Sequence, residues 1–255
     1  MAEDFCVLWG IERSVHQSRS LGLFDKRGFP SRMNLYSVVR LEDLFLATGV
    51  EQRSIFPQVR ERAALLAFHA PLVGLIGRIG PKPMRERASI LSESSLRRAL
   101  EDYWSQVDTC SPDSLFARVL LQPHAIKMDP EPGAVSPDRC PRCGHRPQVS
   151  VLRPEGHGKG LTLVCSLCLY EWEFSRGKCA ACGEDGDKGM SYYAASGFDH
   201  IQVVTCDACR TYLHSIDLSR EIAAVPDVDE LAALPLDIWA QQQGFRKLQP
   251  NFVGI

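Results

Sequence analysis

Four Cys-x-x-Cys pairs in one stretch of the chain constrain its fold more than any other feature of the sequence. A turn of this spacing places two sulfur atoms about one tetrahedral edge apart, and two such turns supply the four soft ligands of one metal ion. The eight thiols therefore predict two metal sites with four cysteines each. The pairs are Cys140/Cys143, Cys165/Cys168, Cys179/Cys182 and Cys206/Cys209.

The gaps between the pairs indicate which of them share a metal ion. The gap between the first and second pairs, and that between the third and fourth, each contain residues that alternate with a period of two around a turn. A strand, a turn and a strand would bring one pair back to its predecessor. We therefore predict that the first two pairs form site one and the last two form site two. The alternative is a cross-brace, in which pairs one and three share one ion and pairs two and four share the other.

The identity of the metal is left open between iron and zinc, because both suit a tetrahedral site of four thiolates. The segment Cys140-Pro-Arg-Cys143-Gly144 has the form of a rubredoxin knuckle, so iron is preferred and zinc is the alternative. A redox-active dithiol would need a thioredoxin-like βαβ context, which the sequence lacks. An iron–sulfur cluster commonly uses three closely crowded thiolates, which this spacing does not provide. Cys6 and Cys110 stand alone and are interpreted as buried structural cysteines.

The pattern along the chain predicts an α+β protein. An N-terminal all-helical domain is followed by two tandem rubredoxin-like or zinc-ribbon modules and a C-terminal helix. The predicted bounds are 1–128 for the helical domain, 129–139 for a linker rich in Pro and Gly, 140–178 and 179–216 for the two modules, and 217–255 for the C-terminal helix and tail.

Apolar spacing and capping residues locate the helices of the first domain. We expect helices over 31–49 and 59–68, a third that begins after Ser94 or Ser95, and a fourth capped by Ser111.

The modules and the C-terminus show a different pattern. One helix is expected over 227–243, ending at Gly244, and the tail 245–255 is expected to pack irregularly. Histidines near the modules are interpreted as loop or surface residues. The strands expected from alternation are 148–153, 161–165, 171–175, 191–194, 201–205 and 212–216.

Charge and motifs exclude several classes of function. Between Cys140 and Ser215 eight Lys and Arg side chains balance eight Asp and Glu side chains, so no cationic field favours nucleic acid. No apolar run is long enough to cross a membrane, and without an export signal the thiols are expected to stay reduced in the cytoplasm. Four cysteines leave a metal no open position for substrate, and phosphate-loop, HExxH and GxSxG motifs are absent. We therefore predict a protein without a catalytic site.

The residues around the four pairs resemble the formate dehydrogenase accessory protein FdhE family. The resemblance is carried by all four knuckles and by the closing stretch from Asp229 to Asn251, and it extends over about 115–255. Residues 1–57 differ from the arginine-rich helix with which the family usually begins. The knuckle segments are Arg139-Cys-Pro-Arg-Cys-Gly-His-Arg-Pro147, Leu163-Val-Cys-Ser-Leu-Cys-Leu-Tyr-Glu-Trp172, Lys178-Cys-Ala-Ala-Cys-Gly183 and Thr205-Cys-Asp-Ala-Cys-Arg-Thr-Tyr-Leu213.

This resemblance implies a maturation factor without catalytic activity of its own. Such a factor would bind the catalytic subunit of a respiratory formate dehydrogenase in the cytoplasm before export, and it would hold iron in rubredoxin-like sites. The alternative function is that of an electron-transfer or thiol redox protein that uses the same iron. The partner-binding surface is left unknown, and a weak homodimer is left open.

Overall fold

The computed structural model describes two compact units, one that ends at Met128 and one that begins at Asp138. The predicted fold class is confirmed, because a helical part precedes a mixed sheet, two four-cysteine clusters and C-terminal helices. The predicted helix over 31–49, Cys6, Cys110 and His157 lie outside the described residues. The described residues are 62–80, 82–107, 109, 111–128, 138–156, 158–185 and 189–251.

The helical unit buries an apolar core between short helices. Leu72, Leu96, Phe116 and Leu121 are each at most 1% exposed, which makes them the centre of this core. The helix predicted over 59–68 is described from Arg62 as a 3₁₀ helix that leads directly into an α-helix. The elements are the 3₁₀ helix Arg62–Phe68, α1 (His69–Ile79), α2 (Lys82–Ile90), α3 (Glu93–Trp104) and α4 (Ser114–Ile126).

Two predicted helix caps are displaced in the structure. Ser92, rather than Ser94 or Ser95, caps α3, because its hydroxyl accepts a hydrogen bond from the backbone N–H of Ser95 at 3.1 Å. Asp113, rather than Ser111, precedes α4, and its carboxylate does not cap the helix. It instead accepts two hydrogen bonds from the Arg87 guanidinium, at 2.8 and 2.7 Å. A bidentate ion pair has therefore replaced the local cap.

The second unit is built on one mixed sheet that contains both predicted modules. The order of its strands is β3-β2-β1-β6-β5-β4, and β7 pairs with β6 outside this path. Neighbours in the path are antiparallel except β1 and β6, which run parallel. The strands are β1 (Pro147–Glu155), β2 (Gly158–Cys165), β3 (Glu171–Glu173), β4 (Met190–Ala194), β5 (Ile201–Cys206), β6 (Thr211–Asp217) and β7 (Arg246–Lys247).

The parallel pair β1 and β6 joins the two modules into one structure. Strands β1 to β3 belong to the first module and β4 to β6 to the second, and Val149 pairs with His214 where they meet. Alternation in β6 directs successive side chains to opposite faces of the sheet. The sequence pattern indicated both modules but not this junction, because parallel strands far apart in sequence leave no local turn signal.

The C-terminal segment forms two short helices instead of the single helix predicted over 227–243. They are α5 (Pro226–Ala232) and α6 (Leu234–Gln242), and α5 packs against β1 and β6. Pro235 lies in the first turn of α6, where its missing N–H breaks the helical hydrogen-bond ladder. The predicted irregular tail is also wrong at β7, which pairs in parallel with Thr211 and Tyr212 of β6. Within the described residues no helix has the length and apolar character needed to span a membrane.

Candidate metal centres

The first two Cys-x-x-Cys pairs come together as site one. The sulfur atoms of Cys140, Cys143, Cys165 and Cys168 all lie within 4.8 Å of one another. Sγ of Cys140 is 3.4 Å from Sγ of Cys168, and Sγ of Cys143 is 3.4 Å from that of Cys165. A tetrahedral ion with metal–sulfur bonds of about 2.3 Å would separate its ligands by about 3.8 Å. The four sulfurs thus surround a space for one ion, and an increase of about 0.4 Å in these two separations would give the tetrahedral distances.

The last two pairs form site two with sulfur separations that match this value. Sγ of Cys179 is 3.8 Å from Sγ of Cys209, and Sγ of Cys182 is 3.8 Å from that of Cys206. The sequential grouping of the pairs is therefore confirmed, and the cross-brace is wrong. The grouping arises because the hairpin β1–β2 and the strands β4 and β5 each return the chain to the preceding knuckle.

All four knuckles have closely similar backbones. The amide of the first cysteine donates to the residue that follows the turn, as from Cys140 to the carbonyl of His145 at 3.0 Å and from Cys179 to that of Glu184 at 2.8 Å. The residue after the second cysteine has a left-handed backbone, which glycine adopts without steric cost and other residues do not. These residues are Gly144 (φ 72°), Leu169 (φ 57°), Gly183 (φ 75°) and Arg210 (φ 56°).

Backbone amides point at one sulfur of several knuckles. The N–H groups of Arg142, Leu167 and Ala181 donate to the first cysteine of their own turn at 3.3 to 3.4 Å. Such hydrogen bonds stabilise negative charge on sulfur, which is the form that binds metal. The turns are thus suited to thiolates.

The sulfurs differ in how readily they ionise. Hydrogen bonds from the other three cysteines lower the pKa of Cys140, whereas burial raises the pKa of Cys165. Burial also opposes ionisation of Cys209, but hydrogen bonds from Thr211, Cys182 and Cys206 together outweigh it and lower the pKa of Cys209 to about 7. The Thr211 hydroxyl lies 2.9 Å from this sulfur. Each site therefore contains a thiol from which metal can displace a proton near neutral pH.

The two sites differ in their exposure to solvent. In site one three of the four cysteines are buried and Cys143 is half-buried. In site two Cys182 is exposed and Cys209 is half-buried. An attacking reagent would therefore reach site two more easily than site one.

Two histidines near the sites are buried. His145 and His214 are buried, at 1% and 0% exposure, and neither belongs to a four-cysteine cluster. His145 lies next to site one, where its Nδ1 is 3.1 Å from the carbonyl oxygen of Cys143. The interpretation as a loop or surface residue is therefore wrong for His214, which is buried in β6, whereas His145 lies in a loop but is buried.

A buried ionic cluster, which the sequence analysis missed, lies between β6 and the C-terminal helices. The ammonium group of Lys247 contacts the Glu230 carboxylate and lies 2.9 Å from Oδ2 of Asp237. The hydroxyl of Tyr212 donates to Oδ1 of Asp237 at 2.9 Å. Each of these side chains is almost fully buried. One cation therefore neutralises part of the charge of two carboxylates.

The imidazole of His214 faces the same buried ionic cluster. Its Nε2 lies 3.3 Å from Oδ1 of Asp237, without hydrogen-bond alignment. Burial and the nearby ammonium of Lys247 lower the pKa of His214 to about 3, so the ring is neutral at pH 7. The alternation Tyr212, His214, Ile216 was a signal for this placement, because it puts the histidine on the apolar face of a strand.

Comparison with known proteins relates the chain to one family. The FdhE central domain matches residues 139–176, and the FdhE C-terminal domain matches residues 178–253. A protein FdhE homolog of Aquifex aeolicus is 32% identical over 197 residues, which cover 74% of this chain and 70% of that protein. A protein FdhE homolog of Pseudomonas putida is 36% identical over 122 residues, covering 45% of this chain and 38% of that protein.

A solved structure agrees with these matches. The crystal structure of the FdhE protein from Pseudomonas aeruginosa superposes with a TM-score of 0.56 at 25% sequence identity. The superposition covers 75% of this chain and 73% of the other. The two matched domains together contain all eight cysteines of the two clusters.

Proposed function

Because the chain belongs to the FdhE family, which supports an accessory role toward formate dehydrogenase, we propose that it binds the catalytic subunit of that enzyme. Binding takes place in the cytoplasm before the subunit is exported, and the chain itself is not catalytic. The observation that carries this proposal is the assembly of all eight cysteines within the two matched domains. The domain bounds given by the sequence, with 129–139 as a linker, are part of the same proposal.

Each cluster, in this proposal, holds one mononuclear metal ion, iron or alternatively zinc. The fit rests on four converging sulfurs and on turn amides that point at them. A bound ion would cross-link two knuckles, and in small zinc-binding peptides such binding contributes on the order of 10 kcal/mol to folding. The ligands are Cys140, Cys143, Cys165 and Cys168 in site one and Cys179, Cys182, Cys206 and Cys209 in site two.

Deletion and complementation test the accessory role. Loss of the gene should abolish active respiratory formate dehydrogenase, and expression of the full chain should restore it. Co-purification of the catalytic subunit with the tagged chain should accompany the restored activity. If the deletion strain keeps normal formate dehydrogenase activity, the proposed function is wrong.

Metal analysis tests the ligand assignment independently of formate dehydrogenase. The chain purified without oxygen should contain about two metal ions, and visible absorption distinguishes iron thiolate from zinc. Substitution of Cys140 by Ser should remove one ion, whereas substitution of Cys6, which is outside the four Cys-x-x-Cys pairs of the sequence, should remove none. Equal metal content in all variants would contradict the assignment. Reversible reduction of a bound iron would favour the electron-transfer alternative.

A further inference from the structure

A concave site of about 460 Å³ lies on the face of the sheet opposite to the side chain of His214. Its floor crosses the junction of the two modules, because Ser150 and Leu152 of β1 lie beside Leu213 and Ser215 of β6. The volume is within the range of about 300–1,000 Å³ that ligand-binding sites occupy. We refer to it as the junction cavity.

The lining of the junction cavity is apolar at its sides and polar at its floor. Leu161, Phe174 and Val204 line it as half-buried side chains, and Tyr192, at 55% exposure, lies on edge strand β4. Ser150 and Ser215 supply hydroxyl groups at the floor. The third knuckle also lines the cavity, through Cys179, Ala180 and Ala181, and Ala180 packs there against Leu163 and Leu213. The cavity is the part of the face that this packing leaves open.

The charge of the junction cavity differs from that of the module around it. Arg176 and Lys178 line the cavity, and none of the described lining residues is acidic. Neither side chain forms a hydrogen bond or an ion pair within the part of the chain that the structure describes, although the backbone of Lys178 pairs with Asp185. Most cations elsewhere on the sheet have partners, as in the pairs Arg153–Glu171 and Lys159–Asp217. Two unpaired cations beside apolar walls are complementary to a carboxylate that is flanked by apolar side chains.

We infer that the junction cavity binds an extended peptide segment in which a glutamate or aspartate lies between apolar residues. The carboxylate contacts Arg176 and Lys178, the apolar side chains contact Leu161 and Val204, and the floor hydroxyls accept or donate hydrogen bonds to the peptide backbone. The segment belongs to the catalytic subunit of formate dehydrogenase, and this assignment rests on the proposed function. Both modules supply walls of the cavity, so binding requires the joined sheet and not one module alone.

Peptide binding to the metal-loaded full chain tests this inference. Overlapping fluorescent peptides that cover the catalytic subunit are titrated, and binding is followed by anisotropy at low salt. Peptides with a carboxylate between apolar residues should bind, and their glutamine or asparagine counterparts should bind at least about tenfold more weakly. The double variant Arg176→Glu/Lys178→Glu should weaken the same peptides by at least about tenfold.

A matched control carries the same change of net charge outside the cavity. The variant Arg98→Glu/Arg246→Glu replaces two exposed cations that do not line it, and its affinity should stay within about twofold of the wild type. Metal content and far-UV circular dichroism verify that each variant is folded. Val204→Trp fills the cavity without changing its charge and should also weaken peptide binding. This variant replaces the charge-reversed variant as the test if the latter does not fold.

Several results would overturn the inference while the proposed function survives. One is a catalytic subunit that binds the wild type and the charge-reversed variant equally well. Another is binding of small carboxylates alone, with no gain from apolar neighbours. A third is a wild-type dimer that the charge reversal dissociates, since the cavity would then be an interface between copies of this chain. If deletion leaves formate dehydrogenase activity intact, the proposed function fails, and the assignment of the segment to that partner fails with it.

Discussion

Replacement of Lys247 by Met removes the single ammonium group of the buried ionic cluster and keeps a side chain of similar length. In the wild type this group contacts Glu230 and Asp237, and all three side chains are at most 3% exposed. The variant leaves two carboxylates and a neutral His214 in a site from which water is excluded. We expect a large loss of stability, because an uncompensated buried charge is costly.

The size of the loss follows from the proton that the variant must bind. Uptake of one proton by Glu230 or Asp237 restores the net charge that the cluster has in the wild type. For a carboxyl group with an unfolded pKa of about 4.3, protonation at pH 7 costs about 4 kcal/mol. This value agrees with the loss of about 3–5 kcal/mol that is typical when one partner of a buried pair is removed.

The loss of unfolding free energy should increase as the pH rises. Burial already raises the pKa values of Glu230 and Asp237 above those of the unfolded chain, and loss of the ammonium raises them further. A raised pKa gives stability at low pH that disappears as the pH rises. The deficit relative to the wild type should therefore be about 2 kcal/mol at pH 6 and about 5 kcal/mol at pH 8.

Urea unfolding of the metal-loaded chain at pH 6, 7 and 8 measures the deficit. Amide hydrogen exchange in β6 assigns it to the sheet unit, because the exchange of an amide reports the stability of its own region. The double variant Glu230→Gln/Lys247→Met has the wild-type net charge in the cluster and should recover most of the stability without the pH dependence. A deficit of Lys247→Met below about 1 kcal/mol, or one that does not change with pH, would refute the reasoning.

Other predictions concern the knuckles and the buried tyrosine. Gly144→Ala should lower the free energy of unfolding by about 1–2 kcal/mol through its left-handed backbone alone, because an added Cβ meets no atom within 4 Å. Helical Gly77→Ala has the same free space and should raise it by about 0.5–1 kcal/mol. Iodoacetamide should modify exposed Cys182 before buried Cys140 in the metal-loaded chain, as peptide mass spectrometry would show. Tyr212→Phe should cost about 1–3 kcal/mol, measured by urea unfolding, because a buried carboxylate loses its hydroxyl donor.

Three of these predictions would be contradicted by the following results. A Gly144 variant as stable as the wild type would mean that the knuckle does not require a left-handed backbone. Equal rates of alkylation at both cysteines would show that burial does not protect site one. An unchanged Tyr212 variant would mean that the carboxylate finds another donor.

Local sequence patterns were sufficient to predict the knuckles and the strands beside them. The spacing of Cys140 and Cys143 fixes a turn by itself, and the alternation around each turn gives β1, β2, β5 and β6 to within a few residues. These features depend on contacts between residues that are close in the chain. The grouping of the cysteines could also be predicted, because each hairpin returns the chain to its own starting knuckle.

The features that were missed depend on contacts between distant residues. Asp113 could not be identified as the residue before α4, since its carboxylate is bound by Arg87 from another helix. Lys247 was assigned to an irregular tail because its partners, Glu230 and Asp237, lie on separate helices. The spacing of apolar residues along the chain does not predict a salt bridge between residues that are distant in sequence. The sequence shows that these charged residues are present, but it does not show that they contact one another in the fold.

Strand β6 connects these observations, because its two faces have different requirements. Tyr212 and His214 face the buried ionic cluster, while Leu213 and Ser215 face the junction cavity. A slip of one residue in its pairing would exchange the two sets. Leu213 would then face the buried carboxylates without a hydroxyl donor, and His214 would project into the cavity. The cost of that exchange holds β6 in one register, and this register places Leu213 and Ser215 on the face that the cavity occupies.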